Sequence, residues 1–169
     1  MSFTIYNATI PVFKQGLKTL NHLLNKMEAH AKAKSFPAEN FLNEKLAVDM
    51  FDFKRQIQLS CDFAKGAAMR LSGQEIPSHP DTETTVEQLH ARIAKVQALL
   101  DGVTPEQFRG AENRDIKIVT PNNMTFEFKG DTFVTSWALP HFFFHVTTAY
   151  NILRQNGVDI GKVDFLRGE

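Results

Sequence analysis

Two histidines four residues apart, His141 and His145, are the side chains in this sequence whose type and spacing most suggest chemistry. On a helix, positions i and i+4 lie one above the other on one face, so two imidazoles at this spacing are close enough to share one metal ion. They bracket the run His141-Phe142-Phe143-Phe144-His145, directly after Pro140. Proline has no backbone N–H, which leaves the Ser136 carbonyl without its helical partner and predicts a kink where the pair begins. The chain has one cysteine, Cys61, which excludes an internal disulfide and any multi-cysteine zinc or iron–sulfur site. As a thiolate Cys61 is a soft ligand that suits Zn; as a thiol it behaves as a small buried hydrophobe. Spacing alone leaves two readings of the histidines open. Either they hold a metal, or one is hydrogen-bonded in the core and the other lies at its edge. Of the remaining histidines, His22 and His30 fall off the seam of their helix and are expected in solvent. His79 sits in a loop, and His90 lies at the edge of a buried face.

The elements that would position these groups read mostly as helices. Phe3, Tyr6, Ile10, Phe13, Leu17, Leu20, Leu24 and Met27 alternate spacings of three and four, the seam of a bundle helix from about Phe3 to Ala31 with a disturbance near Pro11. A second helix is expected from about Asn43 to Ser72, its inner face marked by Leu46, Met50, Phe53, Ile57, Ala64, Ala68 and Leu71. Ser60 and Cys61 fall in the same arc, Asp49 and Gln56 at its edge, and Gln58 and Asp62 outside it. Gly73 is the expected stop. A third helix runs from about Thr84 to Leu100, followed by a capped turn at Thr104-Pro105-Glu106-Gln107. The period then becomes two: Asp115 to Val119 and Thr125 to Lys129 alternate as strands around a Pro121-Asn122-Asn123 turn, a small β-hairpin. The last helix is expected from about Asp131 to Gln155, with Val134, Trp137, His141, Phe144, His145, Thr148 and Ile152 on one face. After Asn156-Gly157, Ile160, Val163, Phe165 and Leu166 suggest a tail that folds back. The fold class is therefore mainly α, a four-helix up-down bundle with a small β-hairpin inserted before the last helix, in a single domain over residues 1–169.

Composition supports a packed core and excludes several functions. At 169 residues the chain can bury roughly two-thirds of its unfolded surface without staples. Nineteen basic residues balance nineteen acidic ones, which argues against a nucleic-acid partner. No stretch approaches the ~20 apolar residues of a membrane span, and Met1 to Asn7 does not read as a signal peptide, so a cytoplasmic location is expected. Fifteen Phe against one Trp and two Tyr point to an aromatic-rich core, with Phe142, Phe143 and Phe144 expected around the histidine pair. Phe143 and Tyr150 lie on the helix's far side and need cover, from the hairpin or tail or from a second subunit.

The segment from His141 onward, His141-Phe142-Phe143-Phe144-His145 with Leu153-Arg154 and Gly157, is similar to the last-helix signature of the DinB/YfiT-like putative metalloenzyme superfamily. The helix order and the insertion before the last helix also resemble that family. The close of the chain, Thr148 to Arg154 with Gly157-Val158 and Gly161 to Leu166, looks like an uncharacterised branch filed as a domain of unknown function. The resemblance implies a bundle, often a homodimer, that holds a divalent metal (Zn, Ni or Mn) by three His, one from helix two and two from helix four. A three-ligand site with an open position lowers the pKa of a bound thiol or water, the basis of transferase or hydrolase chemistry on a small molecule. Here helix two contains no His, and Cys61 is the soft side chain available to complete a His141, His145, Cys61 set. The alternative expectation is a metal-free bundle that keeps an apolar, Phe-lined pocket for a small molecule near the pair.

Overall fold

The computed structural model describes residues 3–120 and 122–168. Four long helices form the bundle. Helix α1 spans Ile5–Ala33, α2 Phe53–Ser72, α3 Val86–Asp101 and α5 Leu139–Gln155. The seam foreseen for α1 is buried: Phe13, Leu17, Leu20, Leu24 and Met27 are fully enclosed. Each such side chain removed from water contributes roughly 2 kcal/mol before the entropy of ordering it. Thr4 caps the helix by accepting the Asn7 N–H, which leaves Phe3 outside and almost wholly exposed rather than on the seam. Pro11 lies inside α1 on its solvent face, and the helix runs through it without a break.

Helix α2 is ten residues shorter than expected at its start. A 3-10 turn, Ala38–Asn43, and an irregular stretch over 44–52 replace the foreseen first turns. Asp52 has extended backbone and its carboxylate accepts the Arg55 N–H at 2.8 Å, a cap that fixes the helix start at Phe53. Leu46 and Met50 repeat with the right period but precede that cap. At the other end Gly73 adopts φ +73°, the left-handed stop the sequence suggested. Within α2, Ala64, Ala67 and Ala68 are buried and let its neighbours approach closely.

The α2–α3 connection is pinned by Arg92, whose side chain is 2% exposed. It bonds Asp62 of α2 and Asp81 and Glu83 of the connection, each at 2.9 Å, and donates to the Pro80 carbonyl at 3.1 Å. Asp62, read as pointing away from the bundle, turns instead toward this guanidinium. Gln58, read the same way, is buried and donates to Glu83 at 2.8 Å.

Strands β1 (Asp115–Val119) and β2 (Thr125–Lys129) form the foreseen antiparallel hairpin, Lys117 opposite Glu127. Of its turn, Asn123 takes φ +60° and Thr120 bonds Met124, whereas Pro121 lies outside the described residues. Ile116 and Ile118 bury one face of the hairpin against the bundle. Gly130 then opens the short helix α4, Gly130–Phe133; a Cβ there would stand 1.8 Å from the Ala111 carbonyl oxygen, so only glycine fits. The tail folds back as α6, Lys162–Arg167. Asp164 accepts from His22 at 2.8 Å and from the Gly161 N–H at 2.7 Å, and Thr19 donates to the Phe165 carbonyl. His22 is therefore a half-buried partner of the tail rather than a solvated side chain. Val163 and Leu166 point outward, while Phe165 covers Tyr150 edge-on within the chain.

Candidate functional site

The site is built where the last helix changes its winding. Between α4 and α5, Val134–Ala138 forms one π-turn, closed by the Leu139 N–H on the Val134 carbonyl five residues back. The wider turn accommodates Pro140, the residue from which a kink was expected. The Trp137 carbonyl, within this turn, accepts from the Nδ1 of His141 at 2.8 Å. One turn later His145, 7% exposed, directs its Nδ1 across to α2, where Gln56 Oε1 lies at 2.8 Å.

Gln56, placed at the edge of its face by the sequence, is instead buried at 1% exposure and faces the histidine. Its amide has one orientation, because its Nε2 donates to the Phe51 carbonyl at 3.0 Å just before α2 begins. The oxygen is therefore the atom presented to His145. A carbonyl oxygen only accepts, so Nδ1 of His145 carries the proton. The same argument protonates Nδ1 of His141 on the Trp137 carbonyl. With Nδ1 carrying the proton, the neutral form of either ring keeps its lone pair on Nε2. Burial, first, and then the nearby His141 and Arg55, push the pKa of His145 down to about 4, so this ring is neutral at pH 7.

Aromatic rings hold the pair in place. Phe63 of α2 stacks on both imidazoles, at 4.6 Å from His141 and 5.4 Å from His145, 18° from parallel to each. Trp137 lies 4.4 Å from His141 and is itself backed by Phe126 and Phe128 of the hairpin. The inserted hairpin therefore supports the site. Phe144 meets His145 edge-on and is 55% exposed, and Phe143 is 38% exposed. Phe142, expected beside the pair, points the other way. It is fully buried against Phe13, in a notch that Gly16 leaves open. Five surface depressions of about 290–790 Å³ are lined by other residues, the roomiest by Tyr6, Phe108 and Arg109 at the start of α1.

Cys61 belongs to different surroundings. It is fully buried, and the charges acting on it are Arg92, Asp62, Glu83 and Lys65 at the α2–α3 contact. Burial pushes its thiol pKa up to about 12. The structure brings His141 and His145 together and leaves Cys61 out of the group. Among the described residues no three His, Cys, Asp or Glu side chains gather as a metal-binding set. A divalent metal held by three protein ligands therefore does not fit the donors present. Both imidazoles have Nε2 free of a protein partner, but the α2 side offers a neutral amide whose oxygen already holds an N–H.

A family model described as Domain of unknown function (DUF1993) matches residues 5–166. The chain belongs to this family. No curated protein matches the DUF1993 chain. Among solved structures it is similar to a DinB family member protein from Shewanella denitrificans, with 41% identity and a TM-score of 0.88 over 95% of this chain and 90% of that one. The DUF1993 chain thus has a DinB-like fold, as the histidine run and the Leu153-Arg154, Gly157 sequence suggested. What sequence reasoning missed was Gln56. A polar residue one helical turn before Ser60 on the same arc was the available signal.

Proposed function

We propose that this chain is a DinB-like binding domain that works without a resident metal, its histidine pair receiving a small molecule that donates hydrogen bonds. The observation that carries this reading is the bond from His145 Nδ1–H to Gln56 Oε1. It spends the α2 side of the site on orienting an imidazole and leaves two Nε2 lone pairs as acceptors. Neither nitrogen has a protein partner among the described residues, and neither is sealed from solvent. The rings around them, Phe63, Trp137 and Phe144, suit a flat, partly apolar body. One observation favours the alternative, a metal-dependent transferase or hydrolase. Imidazoles that ligate a metal commonly donate their other N–H to a carbonyl, as both do here.

The test uses phenol, a hydrogen-bond donor on an aromatic ring. Added to chelator-treated protein, it should shift the imidazole resonances of His141 and His145 saturably, and His145→Gln should abolish the response. Unshifted imidazoles, with Zn²⁺ restoring binding, would favour the metal-dependent reading.

A further inference from the structure

Arg92, which pins the α2–α3 connection, ends in two terminal nitrogens and carries one further N–H, on Nε. The terminal nitrogens are taken by Glu83, the Pro80 carbonyl, Asp62 and Asp81. The Nε–H is buried with no protein partner, in a side chain only 2% exposed. Nδ1 of His79, in the connection itself, is likewise buried and unpartnered. Both residues line one depression of about 290 Å³, with Thr82, Glu83, Gln88 and Lys95 around them. Buried donors in a native fold are as a rule satisfied, so two orphans in one depression call for an occupant.

The lining dictates what that occupant must offer. Its acceptors are already engaged: Glu83 accepts from Arg92 on one oxygen and from Gln58 on the other, and the Pro80 carbonyl accepts from Arg92. Its donors are not. Gln88 spends Oε1 on the backbone N–H groups of Thr84 and Thr85, where it caps α3, and its NH₂ is left over. Thr82 adds a hydroxyl, and Lys95 adds an ammonium without an ion pair among the described residues. Gln88, Arg92 and Lys95 follow one another at spacings of four and three, so they share one stripe of α3. Charge points the same way. In the wider cluster Arg55, Lys65, Arg92 and Lys95 face Asp62, Asp81 and Glu83, one positive charge in excess. Burial, first, and then Lys65, Lys95 and Arg92 hold the pKa of His79 below its ordinary value, against an opposing pull from Asp62. The ring is therefore neutral at pH 7 and can donate through Nδ1.

We infer that this depression is a binding site for a small carboxylate, whose oxygens accept from the Arg92 Nε–H, the His79 imidazole and the Gln88 amide, with the Lys95 ammonium beside them. A carboxylate has only acceptors to offer, which matches a lining of free donors. It also carries the single negative charge that balances the cluster. A phosphate dianion would exceed that balance and be repelled by Glu83, and water would satisfy the two buried groups without supplying the charge. The site is separate from the histidine pair, which takes a hydrogen-bond donor, so neither proposal rests on the other.

Sodium acetate and, in parallel, sodium chloride are titrated into untagged protein at pH 7, and the Arg92 Nε–H and His79 imidazole resonances are followed by NMR. Acetate should shift both saturably, with half-saturation below about 50 mM. Lys95→Ala should weaken binding about threefold. Gln88→Glu keeps the acceptor that caps α3 but replaces the NH₂ with a negative charge, and should weaken binding more than about tenfold. His145→Gln should bind acetate as wild type does; a loss there would place the acetate at the histidine pair and overturn the inference. An absent or unsaturable shift would overturn it too and assign the two buried groups to water. So would an equal response to chloride, tighter binding of inorganic phosphate than of acetate, or a folded Gln88→Glu protein that binds as tightly as wild type. Failure of phenol to bind at the histidine pair would sink the proposed function and leave this site standing.

Discussion

Lowering the pH should destabilise this protein through His145 before its carboxylates titrate. In the unfolded chain this imidazole takes up a proton near pH 6.5, whereas in the fold burial and the neighbouring His141 and Arg55 delay uptake to about pH 4. Between those values the unfolded state binds more protons, so stability is complete above pH 6.5, declines as pH falls, and flattens below about 4. At about 1.4 kcal/mol per pH unit the full interval corresponds to roughly 3 kcal/mol, of which about 2 kcal/mol is already lost at pH 5. The residue is mostly buried but its Nε2 edge is open to solvent, so screening makes these figures upper bounds. Urea unfolding of wild type and His145→Gln at pH 8 and pH 5 isolates the effect, because the other titrating groups are common to both. Wild type should lose about 1–2 kcal/mol more than the variant across that range. Equal losses would show that His145 protonates in the fold near its ordinary value, and the reasoning from its burial and its bond to Gln56 would be wrong.

Other perturbations test the frame that holds the pair. Arg92→Ala removes a buried guanidinium and leaves Asp62, Asp81 and Glu83 with only Lys65, Arg55 and Gln58 as partners, so chemical denaturation should show a loss of about 3 kcal/mol and proteolysis should reach the 77–83 connection first. Cys61, enclosed and with its thiol pKa raised to about 12, should react with a disulfide reagent only as fast as the protein opens; rapid labelling of the folded chain would contradict its placement. Gly130→Ala forces a methyl onto the Ala111 carbonyl and should cost about 3 kcal/mol or more in thermal unfolding, whereas Gly157→Ala, with nothing near its Cβ, should cost only the about 1–2 kcal/mol of its left-handed φ of +83°.

Much of the bundle was legible because its cores are periodic. The three-and-four alternation from Ile10 to Met27 and from Val86 to Leu100 has one physical solution, and so does the two-residue alternation of Ile116, Ile118, Phe126 and Phe128. The start of α2 was misread because Leu46 and Met50 continue its period by coincidence, while the cap at Asp52 depends on a single hydrogen bond. The histidine pair and an irregular turn before it followed from spacing and from Pro140, the irregularity taking the form of a π-turn. The role of Gln56 did not, since no local pattern says which partner crosses from another helix 89 residues away. The same holds for His22 and Asp62, whose exposure was inferred from one helix alone and whose partners arrive from the tail and from α3. Cys61 and Gln56, five residues apart, lie about 140° apart on the helical wheel, so one turns toward Arg92 and the other toward His145; which neighbour waits on each side is decided by packing.

The central claim is that the pair offers two free Nε2 acceptors, with no third ligand from α2. Elemental analysis of untagged protein, purified without chelator and passed through gel filtration, tests it most directly. The account predicts Zn, Ni and Mn well below one per chain, unchanged in His145→Gln. One equivalent of a single metal, retained by wild type and lost in His145→Gln, would contradict it.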